Sequence, residues 1–71
     1  MSTTPPTLVE IVTQRVVDRT GRRVRELAVE VAAERVVLRG LADSFHVKQL
    51  AQAGAREALP SAILENAIVV E

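Results

Sequence analysis

The chain has 71 residues, of which 48% are hydrophobic and 1% aromatic, and its nine basic and nine acidic side chains leave a formal net charge of zero. This hydrophobic fraction excludes a disordered chain and predicts one small domain with an aliphatic core. Without cysteine, disulfides and thiolate metal sites are excluded, and the neutral balance disfavours a non-specific nucleic-acid binder. No apolar run reaches the roughly 20 residues of a membrane-spanning helix.

A first helix is predicted from Leu8 to Thr20. Thr7 is a good N-cap, and Glu10, three residues later, completes the sequence of a capping box. Gly21 fits a left-handed C-cap. The expected apolar stripe recurs at steps of three and four residues and consists of Leu8, Ile11, Val12 and Val16.

A β-hairpin is predicted within residues 24–41, because apolar and polar residues alternate there in two successive runs. The turn at residues 32–35 lacks the Asn-Gly or glycine that tight turns prefer, so we expect a longer or looser turn. Gly40 is in phase with the dry face, where glycine marks a bulge or a close approach of another backbone. The dry face is expected to carry Leu27, Val29, Val31, Val36 and Leu38.

A second helix is predicted to begin after Ser44, its N-cap, and to end at Leu59-Pro60. Most of its apolar stripe is small, so we expect the helix to lie close over Gly40 and the sheet. A third strand then runs to the C-terminus, where Asn66 is in phase with the dry face and needs a hydrogen-bond partner. The helix stripe is Val47, Leu50, Ala51, Gly54 and Ala58, and the strand's dry residues are Leu64, Ile68 and Val70.

The element order is therefore α-β-β-α-β. Because only one sheet face is uniformly apolar, both helices must cover that face, which predicts an α+β two-layer sandwich with a three-stranded sheet. Residues 1–6 are expected to be a flexible lead-in, and residues 7–71 a single domain. The strand order stays open.

The order and spacing of these strands resemble the BON domain, named for bacterial osmotic-shock and nodulation proteins. The resemblance covers roughly residues 8–71. Gly40 and Asn66 stand at the positions of the family's glycine and asparagine. The matching pattern is Val29-x-Val31, Val36-x-Leu38-x-Gly40, a helix, and Leu64-x-Asn66-x-Ile68-x-Val70. It implies an α/β module without catalytic residues, commonly associated with bacterial envelopes, that binds phospholipid or partner proteins.

Catalytic and metal sites find no support in the residue pattern. Asp43, Ser44 and His46 are chain neighbours at a helix start, where nucleophile, base and orienting group cannot easily align. Ser44 is already explained as a cap, and His46 is the only histidine, with no ligand at the right spacing. We therefore expect no enzyme activity, no metal and no cofactor.

One cluster of cations surrounds the end of the first helix. Such charges complement the negative end of the helix dipole, and they are also a candidate site for phospholipid headgroups or an acidic partner. The candidate anion site consists of Arg15, Arg19, Arg22, Arg23 and Arg25.

The other side of the sheet, which we call the outer face, is unusually apolar for a surface without a covering layer. A contiguous apolar patch marks an interaction site, and the mixture with charges favours a protein over lipid tails. An isologous homodimer could pair arginine with glutamate across its axis. The outer face is expected to carry Glu26, Ala28, Glu30, Val37, Arg39, Leu41, Ile63, Glu65, Ala67 and Val69, and the candidate protein interface is Glu26, Glu30, Val37, Arg39, Leu41, Glu65 and Val69.

The function predicted from these features is a small interaction module that self-associates or docks on a protein or a phospholipid surface. The alternative is a nucleic-acid-binding module, since KH domains of one type share the element order, but they need a Gly-x-x-Gly loop. No such tetrapeptide occurs, and no aromatic residue is placed to stack bases. With no signal peptide as written, a cytoplasmic location is expected, or an envelope location for a fragment of an exported protein.

Overall fold

A computed structural model describes residues 7–71, so the predicted lead-in at residues 1–6 lies outside the described residues. Across the described range the chain forms α1 (Leu8–Thr20), β1 (Val24–Ala32), β2 (Arg35–Ala42), α2 (Phe45–Ala58) and β3 (Ile63–Val70). The predicted α-β-β-α-β order and the α+β class are confirmed. The strands are ordered β1-β2-β3, with β2 antiparallel to β1 and parallel to β3.

Both helix starts carry the predicted caps. The Thr7 hydroxyl accepts the backbone N–H of Glu10 at 3.2 Å, and the Ser44 hydroxyl accepts that of Val47 at 3.2 Å. Gly21 ends α1 in the left-handed conformation, with φ at 62°. These local contacts satisfy backbone groups that a helix leaves unpaired at its ends.

The core lies between the two helices and one face of the sheet. Its fully buried side chains come from both helices and from β2 and β3, with the dry residues of β1 packed around them. Leu8 is an exception to the predicted stripe: it is 51% exposed, because it lies in the first turn of α1, beyond the edge of the core. The buried apolar set is Val12, Val16, Val36, Leu38, Ala42, Val47, Ala51, Ala55 and Ile68.

The turn between β1 and β2 is tighter than predicted. Ala32 pairs directly with Arg35, so only two residues connect the strands, and Ala33 adopts a positive φ of 51°. Two-residue hairpin turns need such a conformation to match the strand twist. The expectation of a longer or looser turn is therefore wrong. The pairing of β1 with β2 keeps Ala33 in a backbone conformation that glycine usually adopts.

Gly40 makes a close approach, but to β1 and not to α2. A β-carbon built on Gly40 would lie 2.8 Å from Val24 Cγ1 and 3.0 Å from the carbonyl oxygen of Arg25. The register of β1 shifts between Arg25 and Ala28, which is a β-bulge beside Gly40. The predicted contact of α2 over Gly40 is thus wrong.

The small residues of α2 instead bring it against α1. A β-carbon on Gly54 would lie 2.8 Å from the carbonyl oxygen of Arg15 and 3.1 Å from Val16 Cα. The two helices therefore pack closely at Gly54, with α1 lying towards β1 and α2 towards β3.

Candidate functional site

The outer face of the sheet is formed by side chains that alternate with the core residues, and no element within residues 7–71 covers it. The pairing places Glu30, Val37 and Glu65 in one row across the strands. The next row towards the end of β2 places Ala28, Arg39 and Ala67 side by side. The face therefore combines charged and small apolar side chains.

Two ion pairs cross this face within the chain. Arg39 Nε lies 3.6 Å from Glu30 Oε1, and an Arg35 guanidinium nitrogen lies 3.8 Å from Glu65 Oε1. Val37, between these pairs, is only 9% exposed although it points away from the helices. Long charged side chains cover apolar neighbours with their aliphatic stems. Val37 is therefore less accessible than a residue at the centre of a protein interface needs to be.

Glu26 does not lie where the alternation placed it. The bulge of β1 moves Arg25 into the row beside Leu41, while Glu26 lies in the bulge with a positive φ of 53°. The prediction that Glu26 faces outward in line with Glu30 is wrong, because a bulge adds one residue and breaks the period of two.

The accessible apolar surface of the outer face is concentrated on β3. Ile63 is 60% exposed and Val69 is 56% exposed, and Leu41 lies beside Val69 with partial exposure. The sequence analysis placed Leu41 and Val69 in the candidate interface and Ile63 on the outer face outside that interface, and it left Arg35 out of both sets. The alternation of Arg35 with Val36 would have placed Arg35 on this face as well.

The candidate anion site is largely paired within the chain. Arg15 and Arg19 both contact the Glu57 carboxylate of α2, the former at 3.6 Å. Arg25 pairs with Glu71. Arg23 donates from Nε to the carbonyl oxygen of Thr20 at 3.1 Å, and Arg22 is exposed in the turn after α1. The structure brings Arg15 and Arg19 together at Glu57 and separates Arg25, which lies on the sheet.

Two clefts flank the sheet layer. One, of about 360 Å³, lies beside the hairpin turn and the loop after α2, and Leu8, Val36, Leu59 and Pro60 contribute to its lining. The other, of about 320 Å³, lies between α2 and β3, and we call it the α2–β3 groove. Its lining includes Phe45, Lys48, Gln49, Gln52, Arg56 and Asn66.

The α2–β3 groove was not predicted from the sequence, although its signal was present. The α2 residues that line it recur at three- and four-residue steps and so share one side of the helix. Phe45, at the start of this row, is 62% exposed. Asn66 closes the groove floor: its amide donates to the Lys48 carbonyl oxygen at 3.0 Å and to Gln52 Oε1 at 3.5 Å.

Within residues 7–71, no group of three His, Asp or Glu side chains is arranged to hold a metal ion. In the same range, neither helix has both the length and the apolar character that crossing a bilayer requires. Ser44 serves as a helix cap, as its hydrogen bond to Val47 demonstrates.

No protein-family model, curated protein or solved structure matches this chain.

Proposed function

We propose that this chain is a small, non-catalytic, BON-like interaction module whose outer face joins a second copy of itself. The observation that carries the proposal is a sheet covered by helices on one face and left open on the other throughout residues 7–71. A sheet with one open face is stable in water when that face is polar, whereas here it carries exposed Ile63 and Val69.

The charges of the outer face favour a second copy over a strongly charged partner. Among the described residues, Arg25, Arg35 and Arg39 are matched by glutamates within the chain. Two such faces can therefore stack without net repulsion, and the partly exposed ion pairs can exchange partners across a two-fold axis.

The size of the face sets the expected strength of the contact. Three strands about 4.8 Å apart and about 26 Å long give a footprint of roughly 400 Å². A stable complex buries about 800 Å² on each partner, so we expect a weak dimer with a dissociation constant on the order of 100 µM.

Sedimentation equilibrium from about 10 µM to about 1 mM tests this expectation, because the range spans both sides of that dissociation constant. The average mass should rise towards twice the monomer value, and Val69→Glu should hold it near the monomer value. Val9→Glu is the matched control, because it adds the same charge to an exposed valine of α1. A constant monomer mass over the whole range would overturn the proposal.

Phospholipid is the competing partner, and the ion pairs of Arg15, Arg19 and Arg25 weigh against it. Each paired arginine retains less attraction for an anionic surface than a free one, which contributes about 1 kcal/mol. Pelleting with anionic and with neutral vesicles decides the question. The lipid-binding function would be favoured over the dimer if the protein bound strongly to the anionic vesicles alone. That binding should then be abolished by Arg22→Gln with Arg23→Gln.

A further inference from the structure

Two cations line the α2–β3 groove without an internal counter-charge. Lys48 and Arg56 both contribute to the groove, and within residues 7–71 neither forms an ion pair. None of the described side chains that line this groove is acidic. By contrast, five arginines elsewhere in the same range are paired with glutamates. The groove therefore attracts a negatively charged occupant.

The groove borders β3, which is an edge strand of the sheet and contributes Asn66 to the lining. Ile63 and Glu71 donate their N–H groups towards β2, to the carbonyl oxygens of Glu34 and Ala42. Because backbone groups alternate along a strand, the even-numbered residues of β3 point theirs away from β2, to the free edge. The side chain of Asn66 accepts the N–H of Ile68 at 3.2 Å, so Leu64, Asn66 and Val70 present the remaining donors on this edge.

The opposite edge of the sheet is protected in a way that β3 is not. β1 contains the bulge between Arg25 and Ala28, and Glu26 departs from extended geometry there. Bulges twist an edge away from further pairing. β3 pairs with β2 in unbroken register from Ile63 to Val70 and contains neither proline nor lysine. Of the two edges, β3 is the one suited to receive another strand.

We propose that the α2–β3 groove binds an extended acidic segment of a partner protein, which adds to β3 as a further strand. Addition of a peptide strand beside a helix supplies affinity through backbone hydrogen bonds and specificity through alternate side chains. This surface is separate from the outer face, so the proposal goes beyond self-association and does not depend on it.

The distance between the two cations determines the spacing of the carboxylates that we expect in the acidic segment. Lys48 and Arg56 are eight residues apart on α2, which is about 12 Å along the helix axis. In an extended segment, side chains four residues apart lie on the same face at about 13 Å. The matching ligand therefore has carboxylates at positions i and i+4, with a small polar side chain between them that faces Gln52.

A second copy of this chain fits the groove poorly. Antiparallel pairing of β3 with its own copy would place both α2 helices on the same side of the joined sheet. Lys48 and Arg56 would then face their own duplicates, and the groove-facing residues of the added strand, Leu64, Asn66, Ile68 and Val70, contain no carboxylate. Charge complementarity thus favours an acidic segment of another protein.

The first experiment measures fluorescence anisotropy with a labelled seven-residue peptide that has glutamate at positions 2 and 6, threonine at position 4 and valine or serine elsewhere. A peptide with glutamine at positions 2 and 6 is the control. Each ion pair at an exposed site changes affinity by about threefold, so the control should bind about tenfold more weakly. Equal binding of the two peptides, or binding of neither, would overturn the proposal.

A charge-matched pair of protein variants assigns the binding to the groove. Lys48→Gln with Arg56→Gln should weaken binding of the acidic peptide about tenfold, while Arg22→Gln with Arg23→Gln, which removes the same charge elsewhere, should change it less than twofold. A circular dichroism spectrum and melting curve confirm that both variants fold. If both variants lose the same amount of peptide affinity, the peptide is attracted by the net charge of the protein, and the groove is not its binding site.

Strand addition itself has a separate readout. When the peptide binds, amide hydrogen exchange should slow at Leu64 and Asn66, whereas the amides at the free edge of β1 should exchange as before. Unchanged exchange at β3 in a complex that does form would exclude the added strand. Single-stranded RNA and anionic vesicles are the competing arms: if the Lys48 and Arg56 variant loses binding to either of them but not to the peptide, the groove is not a peptide site.

Discussion

Gly40 is the residue whose neighbours differ most from expectation. An added methyl group would contact the Val24 side chain and the Arg25 carbonyl oxygen, and its φ of 154° is one that other residues rarely adopt. We expect Gly40→Ala to lower the free energy of unfolding by about 2 kcal/mol or more. Urea denaturation followed by circular dichroism measures this change.

The matching control separates the side-chain clash from the backbone constraint. Adding Val24→Ala to Gly40→Ala removes the closest contact but leaves the Arg25 carbonyl oxygen and the φ unchanged. A double-mutant cycle should therefore show that Val24→Ala restores part of the free energy of unfolding lost in Gly40→Ala. Wild-type stability of Gly40→Ala alone would contradict the close approach of β1.

Asn66 illustrates what a residue pattern can and cannot reveal. Its phase placed a polar side chain on the dry face, and this implied a hydrogen-bond partner without identifying one. The structure supplies three: the Lys48 carbonyl oxygen, Gln52, and the N–H of Ile68. Two of these partners belong to α2, which is 14 to 18 residues earlier in the chain, so no local pattern could have indicated them.

The packing of one helix on the other depends on Gly54. In an exposed helix, replacing glycine by alanine stabilises by about 1 kcal/mol. At Gly54 the new methyl group would meet the Arg15 backbone at 2.8 Å, so we expect Gly54→Ala to destabilise by about 1–3 kcal/mol. Chemical denaturation of the wild type and of Gly54→Ala shows directly whether the free energy of unfolding falls or rises.

The control for Gly54 lies on the same helix. Gln49 is exposed, so Gln49→Ala should change the free energy of unfolding by less than about 0.5 kcal/mol. If Gly54→Ala proves more stable than the wild type, α1 and α2 are not in close contact at that position.

Strand patterns predicted β1 and β2 but not their irregularities. The bulge near Glu26 and the positive φ of Ala33 leave the apolar alternation of Leu27, Val29 and Val31 intact. A bulge is a property of two paired strands, and it depends on Gly40 lying opposite, so the sequence of β1 alone does not show it.

The whole domain depends on one small aliphatic core. Leu38 is fully buried at its centre, and Leu38→Ala should cost about 2–5 kcal/mol. A chain of this length has a total stability of roughly 4–11 kcal/mol, so a large share is lost. The melting temperature should fall sharply, whereas Val69→Ala, on the exposed outer face, should leave it nearly unchanged. Equal melting temperatures for Leu38→Ala and Val69→Ala would contradict the burial of Leu38 at the centre of the core.

For the molecule as a whole, the division into a covered and an open sheet face has the largest functional consequence. The outer face is neutral through internal ion pairs, while the α2–β3 groove holds two unpaired cations within the described residues. The two surfaces lie on opposite sides of β3. The two proposed contacts, with a second copy and with an acidic segment, therefore use different surfaces of the chain.

The sequence by itself determined the elements, their caps and the face that each strand buries, because capping, hydrophobic periodicity and glycine conformations act over a few residues. Thr7, Ser44 and Gly21 carry that information locally. The strand order, the bulge beside Gly40, the helix contact at Gly54 and the α2–β3 groove were decided only in the tertiary structure. Each of these joins residues distant in the chain, and their packing depends on geometry that no single segment contains.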